Sequence, residues 1–305
     1  MSDGGLKSYT SGRIGLRSRI RELASAYRSA MQDFGPLIKV TVERLREAEA
    51  FIEREIGIRL ENQRILEIGP GQKLTQLSYF ACRNEVVGID LDVIAQGFRV
   101  GDYARMLRIN GPLRMLKTIA RKSLGVDRRF RAGLARELGV ERFPPLTVLQ
   151  MDAANMEFPD ASFDFVVSFA VFEHLPEPGR VLDEINRVLK PGGGALIVVH
   201  LYTSDNGCHD PRIFAGHRDE LPLWSHLRPE HAGKVRPNSY LNKLRLDEWR
   251  AVFREKAPSV RFRLHQYDRD ALAGSLAELR RQGELAEYTD EELLTVDLAA
   301  LWRRE

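Results

Sequence analysis

The sequence predicts an α/β domain, on three observations. Arg64–Gln72 alternates apolar and polar residues and runs into a glycine-rich turn, the way a buried strand ends at a ligand. Two later apolar stretches, Glu85–Asp92 and Val148–Ala154, close on the acids Asp90 and Asp152. Apolar stretches return at Phe163–Phe169 and Ala195–His200, and an alternating one at Val296–Trp302, with a helix suggested by Leu246, Trp249, Val252 and Phe253 before the last of them.

Composition sets the bounds. At 305 residues and 43% hydrophobic content, the chain suits one large domain with embellishments, or a domain with a small cap. Its longest apolar stretches fall short of the ~20 residues that span a bilayer, and no charged-then-apolar leader opens it. A soluble, cytoplasmic protein is expected. Cys82 and Cys208 supply neither a disulfide framework nor a paired metal motif. A net charge of +3 is too small to name a partner.

In chain order, residues 1–12 carry no structural signal. From Ile14 onward Ile20, Leu23, Tyr27 and Met31 recur at helical spacing. Gly35-Pro36 punctuates, and Ile38, Val42, Leu45, Ile52 and Ile56 then form one stripe that Gly57 ends. Residues 1–62 are expected as a tail and helical cap, and 63–305 as the main domain.

In the turn after the first strand, Gly69 and Gly71 let the backbone approach a bound molecule where any Cβ would collide. The third glycine of the dinucleotide fingerprint is replaced by Leu74. Glu67 would repel a pyrophosphate and pair with a cation. A positively charged nucleoside is therefore favoured over a dinucleotide.

At these residues the chain resembles the class I S-adenosylmethionine-dependent methyltransferases, nearest to the ubiquinone-biosynthesis-like branch. Arg64–Gln72 is similar to their motif I, and Asp90, Asp152, Phe163–Phe169, Val188–Gly193 and Ala195–His200 follow in the family's order. The resemblance implies a Rossmann-like, doubly wound seven-stranded sheet with an antiparallel last strand. It also implies S-adenosylmethionine as cofactor. Glu67 would lie near its ammonium group, Gly69 and Gly71 along its methionine part, and Asp90 with Leu91 at the ribose. Asp152 with Ala153 would meet the adenine, and Ser168 and Phe169 the methionyl end.

An insertion of about residues 97–145 separates the second and third strands. Arg99–Arg142 holds twelve Lys or Arg against four Asp or Glu. Within it, Leu113, Leu116, Ile119, Ala120 and Leu124 form a stripe flanked by Arg114, Lys117, Arg121 and Lys122. Such a helix could rest peripherally on an anionic membrane, close over an acidic or phosphorylated acceptor, or present a solvated face. Nucleic acid is disfavoured: no aromatics interleave with the charges of this stripe, and the chain reads Ser168-Phe-Ala-Val171 where nucleic-acid amino methyltransferases carry Asn-Pro-Pro-Tyr.

The stretch of about 201–241 is irregular, aromatic and histidine-rich, and begins where ligands gather in open α/β sheets. It is expected to form the acceptor pocket. Beyond it a helix, a strand at Val260, Phe262 and Leu264, a helix within 268–286 and a Thr289/Glu292 capping box precede the last strand. No sustained heptad indicates an oligomer.

The chemistry expected is methyl transfer, most simply to oxygen, on a small-molecule or glycan acceptor, anionic or phenolic. A neutral imidazole would serve as base, with His200 first, His174 second and His209 third. No ligand spacing supports a metal, Asp205, His209 and Asp210 being the nearest to a set. The alternatives are a non-catalytic protein that binds S-adenosylmethionine or S-adenosylhomocysteine, and transfer to nitrogen or carbon. Leu74 and Glu67 disfavour a nicotinamide oxidoreductase.

Overall fold

The computed structural model describes residues 33–266 and 269–305. The helix expected from Ile14 to Met31 lies outside them. Helix α1 (Gly35–Ile56) starts at the Gly-Pro punctuation and stops where Gly57 takes φ +68°, burying Ile38, Val42, Leu45, Ala48, Phe51 and Ile52. Strand β1 (Arg64–Ile68) leads through the glycine-rich turn to α2 (Thr75–Ala81) and β2 (Glu85–Asp90). The insertion then folds as three helices, α3 (Val100–Ile109), α4 (Pro112–Ser123) and α5 (Val126–Leu138), before β3 (Thr147–Gln150).

Strand β4 (Phe163–Phe169) is followed by a 3-10 turn (Phe172–His174) and α6 (Pro178–Val188). Strand β5 (Leu189–His200) is longer than expected, because the Pro191-Gly-Gly turn lies inside it. The β4 pairing jumps there from Phe163↔Leu189 to Phe165↔Gly194. Short helices α7 (Pro211–Phe214) and α8 (Pro229–Ala232) interrupt the next loop. Helix α9 (Leu246–Lys256), β6 (Arg261–His265), α10 (Arg269–Arg281), α11 (Asp290–Leu294) and β7 (Asp297–Arg303) complete the chain. Both halves of the Thr289/Glu292 capping box are present at α11.

The seven strands lie in the order β3-β2-β1-β4-β5-β7-β6, the first five parallel and β7 antiparallel to both neighbours. Alternate residues of each central strand feed opposite cores. Leu66, Val166, Ile197 and Ala300 pack with α6 and α9, while Ile65, Phe165, Leu196 and Leu301 pack with α1, α2 and α5. Helices thus cover both faces of the sheet, and only the strand ends are open to a ligand. Among the described residues no helix is long and apolar enough to cross a membrane.

Candidate active site

Parallel pairing with Ile68↔Ile89 and Ile68↔Ser168 in register brings the carboxyl ends of β1, β2 and β4 to one rim. The chain leaves β1 through Gly69, whose N–H donates to Ile89 O at 2.8 Å and whose φ is +72°. A Cβ on Gly69 would lie 2.4 Å from Val171 Cγ2. Gly71 also has positive φ, +61°, and faces open space. The two glycines form a tight turn at the carboxyl end of β1.

Glu67 is 2% exposed, and its Oε2 has no hydrogen-bond partner among the described residues. Burial first, then the charge of Asp90, pushes its carboxyl up to about 8. Asp90 is raised to about 6 by burial, although the charge of Arg114 and the Gly71 backbone pull it down. Its Oδ1 accepts from the Asp92 N–H at 2.9 Å, and Arg114 is ion-paired with Asp92. An unpaired buried carboxylate calls for a cationic or hydrogen-donating ligand. A pyrophosphate would face two carboxylates here. The residues present therefore fit S-adenosylmethionine.

The remaining predicted contacts flank this crevice. Asp152 lies two residues beyond β3, its Oδ1 accepting from the Ala154 N–H at 2.9 Å, with Ala153 buried beside it. Ser168 Oγ donates to Ile68 O at 3.0 Å and locks β4 to β1, so its hydroxyl is already committed. Leu91 and Phe169 are half-buried at the ends of β2 and β4.

The insertion folds back over the turn. Arg121 Nη2 reaches Gln72 Oε1 at 3.5 Å and pairs with Asp127 at 2.7 Å, and Lys122 Nζ lies 3.3 Å from Asp127. Lys73 sits 5.0 Å from the Phe130 ring and 5.8 Å from that of Phe34. Arg114, Arg121 and Lys122, expected as part of an exposed basic face, thus find acidic partners close by. Leu116 and Leu124 of the stripe remain 58% and 46% exposed.

Beyond β4 the 3-10 turn is clamped by Asn242, whose Nδ2 donates to Phe172 O at 2.9 Å and Leu175 O at 3.0 Å. This points Glu173 inward. It is 2% exposed, and neither carboxylate oxygen has a partner among the described residues. Burial raises it to about 7. His174 Nδ1 donates to Tyr240 O at 2.8 Å, leaving Nε2 3.9 Å from Glu173 Oε1. His209, at φ +53°, brings its ring to 4.9 Å from that of His174 and 5.1 Å from that of His200. Its Nε2 is buried and unpartnered, and burial, then neighbouring histidines, push its pKa down to about 3.

His200, the first-choice base, is corrected by its surroundings. Nδ1 lies 3.0 Å from Asp297 Oδ1 and Nε2 2.9 Å from Asn206 Oδ1, so both nitrogens are committed. Burial pushes its pKa down, but the Asp297 hydrogen bond and charge outweigh this and raise it. Asp205 and Asp210 are also committed, to Arg218 and to Arg212 with the Arg236 N–H, so the set guessed around them does not form. Instead Glu173, His174 and His209 each place one ligand-capable atom within 4.8 Å of the others. Sequence reading missed Glu173. Its only local signal is its place beside His174 just past a strand end.

A methyltransferase domain model matches residues 110–197, which take in β3, β4 and the 3-10 turn. Phosphatidylethanolamine N-methyltransferase of Cereibacter sphaeroides is 42% identical over 71 residues, 23% of this chain and 34% of its own length. This chain thus spans about a third of that relative. The uncharacterized methyltransferase YcgJ of Bacillus subtilis is 25% identical over 218 residues, 69% of this chain and 66% of its own. The crystal structure of YcgJ covers 85% of this chain and 99% of its own at 20% identity, with a TM-score of 0.37. Over the matched residues, this chain is similar to methyltransferases.

Proposed function

We propose that this chain transfers the methyl group of S-adenosylmethionine to oxygen of a small-molecule acceptor, a phenol, quinone precursor or sugar, in the manner of the ubiquinone-biosynthesis-like branch. The observation that carries the reading is the pair of carboxyl groups, buried Glu67 in β1 and half-buried Asp90 at the end of β2, that flanks one glycine-rich turn. Bound S-adenosylmethionine supplies a methyl group on a sulfonium, open to in-line attack.

The chain's residues bind and align. Asp90 takes ribose hydroxyls, Glu67 the ammonium group, Asp152 and Ala153 the adenine, and Leu91, Ser168 and Phe169 line the wall. Alignment of two reactants is worth about 7–11 kcal/mol, against roughly two to four powers of ten in rate for a positioned base. His209, neutral with a free Nε2, and His174, with Nδ1 fixed by Tyr240, are the groups able to take an acceptor's proton. His200 holds the loop to β7.

Calorimetric titration with S-adenosylmethionine and with NADH tests this. Asp90→Ala should weaken donor binding by about ten- to a hundredfold, since hydrogen bonds to a charged group are worth about 1.5–3 kcal/mol. Unchanged affinity would remove the ribose assignment, and preference for NADH would overturn the reading.

A further inference from the structure

Two side chains with buried polar atoms that lack a partner among the described residues meet an oriented imidazole at the rim. The Glu173 carboxylate is buried with neither oxygen hydrogen-bonded to any described residue. His209 Nε2 is buried without a partner among them. His174 is oriented through Nδ1 by the Tyr240 carbonyl, so that Nε2 faces Glu173 at 3.9 Å. Buried polar groups are satisfied in native proteins almost without exception, and orphans gathered at one point imply a common partner.

We propose that Glu173, His174 and His209 form a divalent metal site with open coordination positions, of the kind that takes Zn2+ or a neighbouring first-row transition ion. One carboxylate and two imidazoles are the donor set of open catalytic sites, whereas closed structural sites use four protein ligands. Ligands on a tetrahedral ion with bonds of about 2.0–2.2 Å stand roughly 3.4 Å apart. The observed 3.9 Å between Glu173 and His174, and 4.8 Å at most across the group, need only small side-chain movements. The second shell is built as well. Tyr240 O fixes the His174 tautomer, and Asn242 fixes the turn that carries Glu173 and His174 through Phe172 O, Leu175 O and the Glu173 carbonyl. The site adjoins the donor crevice, since Val171, two residues before Glu173, packs on Gly69.

With His174 and His209 as its ligands in place of proton acceptors, an ion there would hold an acceptor by its hydroxyl or phenol oxygen and lower that oxygen's pKa, so that the proton passes to solvent before transfer. This assignment of an oxygen acceptor rests on the function proposed above. Metal binding itself does not.

The test is Co2+ and Zn2+ binding to the purified chain after chelation and dialysis. It is read by metal content per chain, by calorimetry and by the visible d–d absorption of the Co2+ form. One ion per chain is expected, with affinity falling at least tenfold in Glu173→Gln and in His209→Asn. Circular dichroism and S-adenosylmethionine titration on the same samples report folding and donor binding separately. No ion bound to the wild-type chain, or equal affinity in both folded variants, would overturn the proposal. Metal binding without donor binding would uphold the site and remove the methyl-transfer reading alone.

Discussion

Asp297 Oδ1 lies 3.0 Å from His200 Nδ1, across the antiparallel β5–β7 pair in which the two residues are register partners. On the ring's other side Asn206 takes Nε2 at 2.9 Å. The imidazole therefore pins the start of the acceptor loop to the last strand. The side chain with the best position for proton transfer in the sequence has a structural task.

Asp297→Ala should destabilise the chain by about 1–3 kcal/mol, the cost of leaving a buried donor unpaired. In a domain of this size the midpoint should fall by roughly 2–5 °C. Differential scanning calorimetry measures it, with donor affinity as control. An unchanged midpoint would show that the contact contributes nothing to the fold.

Glu67 makes stability depend on pH. Its folded pKa stands at about 8 against a reference of 4.5, so the folded state holds a proton that the unfolded chain releases. That contribution is fully present below the reference value and lost as pH rises through about 8. Glu67→Gln should flatten the fall in stability between pH 6 and 8, and be the more stable form at pH 8 by a few kcal/mol, on the order set by such linkage. Slope that persists in the variant below pH 6 has contributions from Asp90, raised to about 6, and from Glu173, raised to about 7. A cationic ligand favours ionised Glu67, so wild-type donor affinity should rise over the same window with proton release. Urea titrations at three pH values and calorimetry in two buffers measure both effects. Parallel curves for the two proteins would assign the proton elsewhere.

Gly69→Ala should weaken donor binding at least tenfold, because its Cβ would lie 2.4 Å from Val171 Cγ2 at φ +72°. Val171→Ala removes the obstructing methyl groups and should restore part of the loss in the double variant. The φ strain, of order 1–3 kcal/mol, would remain. Four titrations complete this cycle. Additive losses would show that the two residues do not interact.

Phe130→Ala tests how the insertion is held. The ring is 4% exposed, 5.5 Å from Phe34 and under Lys73. Truncation should cost about 3–5 kcal/mol. Limited proteolysis between residues 97 and 145 should speed up at least tenfold. A lower midpoint with unchanged cleavage there would mean that other contacts hold the three helices down.

Strands bounded by local chemistry were legible. β4 runs Phe163–Phe169 as the resemblance implies, and α1 ends at Gly57 because that residue alone there takes φ +68° freely. β5 was read short because Pro191-Gly-Gly looks like a boundary. Its glycines instead allow close backbone contact, and a Cβ on Gly193 would stand 2.7 Å from Asp164 O. The gathering of glycines and acids on one rim was legible because they recur at strand ends. The arrangement of the histidines was not. Whether an imidazole is free depends on Asp297, 97 residues from His200, and the meeting of Glu173 with His209 depends on how an irregular loop folds. Likewise the charge count of the insertion was plain, but its pairings to Asp92 and Asp127 were not.

Both margins of the sheet are guarded. β3 is four residues long, flanked by side-chain bonds from Gln96 to Leu146 O and from Arg105 to Gln150. β6 carries Arg261 and Arg263, one paired with Glu55 at 2.8 Å and the other 4.6 Å above the Phe51 ring. A short margin and a charged one are poor templates for strand addition by another copy. The sheet should therefore resist fibril growth at high protein concentration.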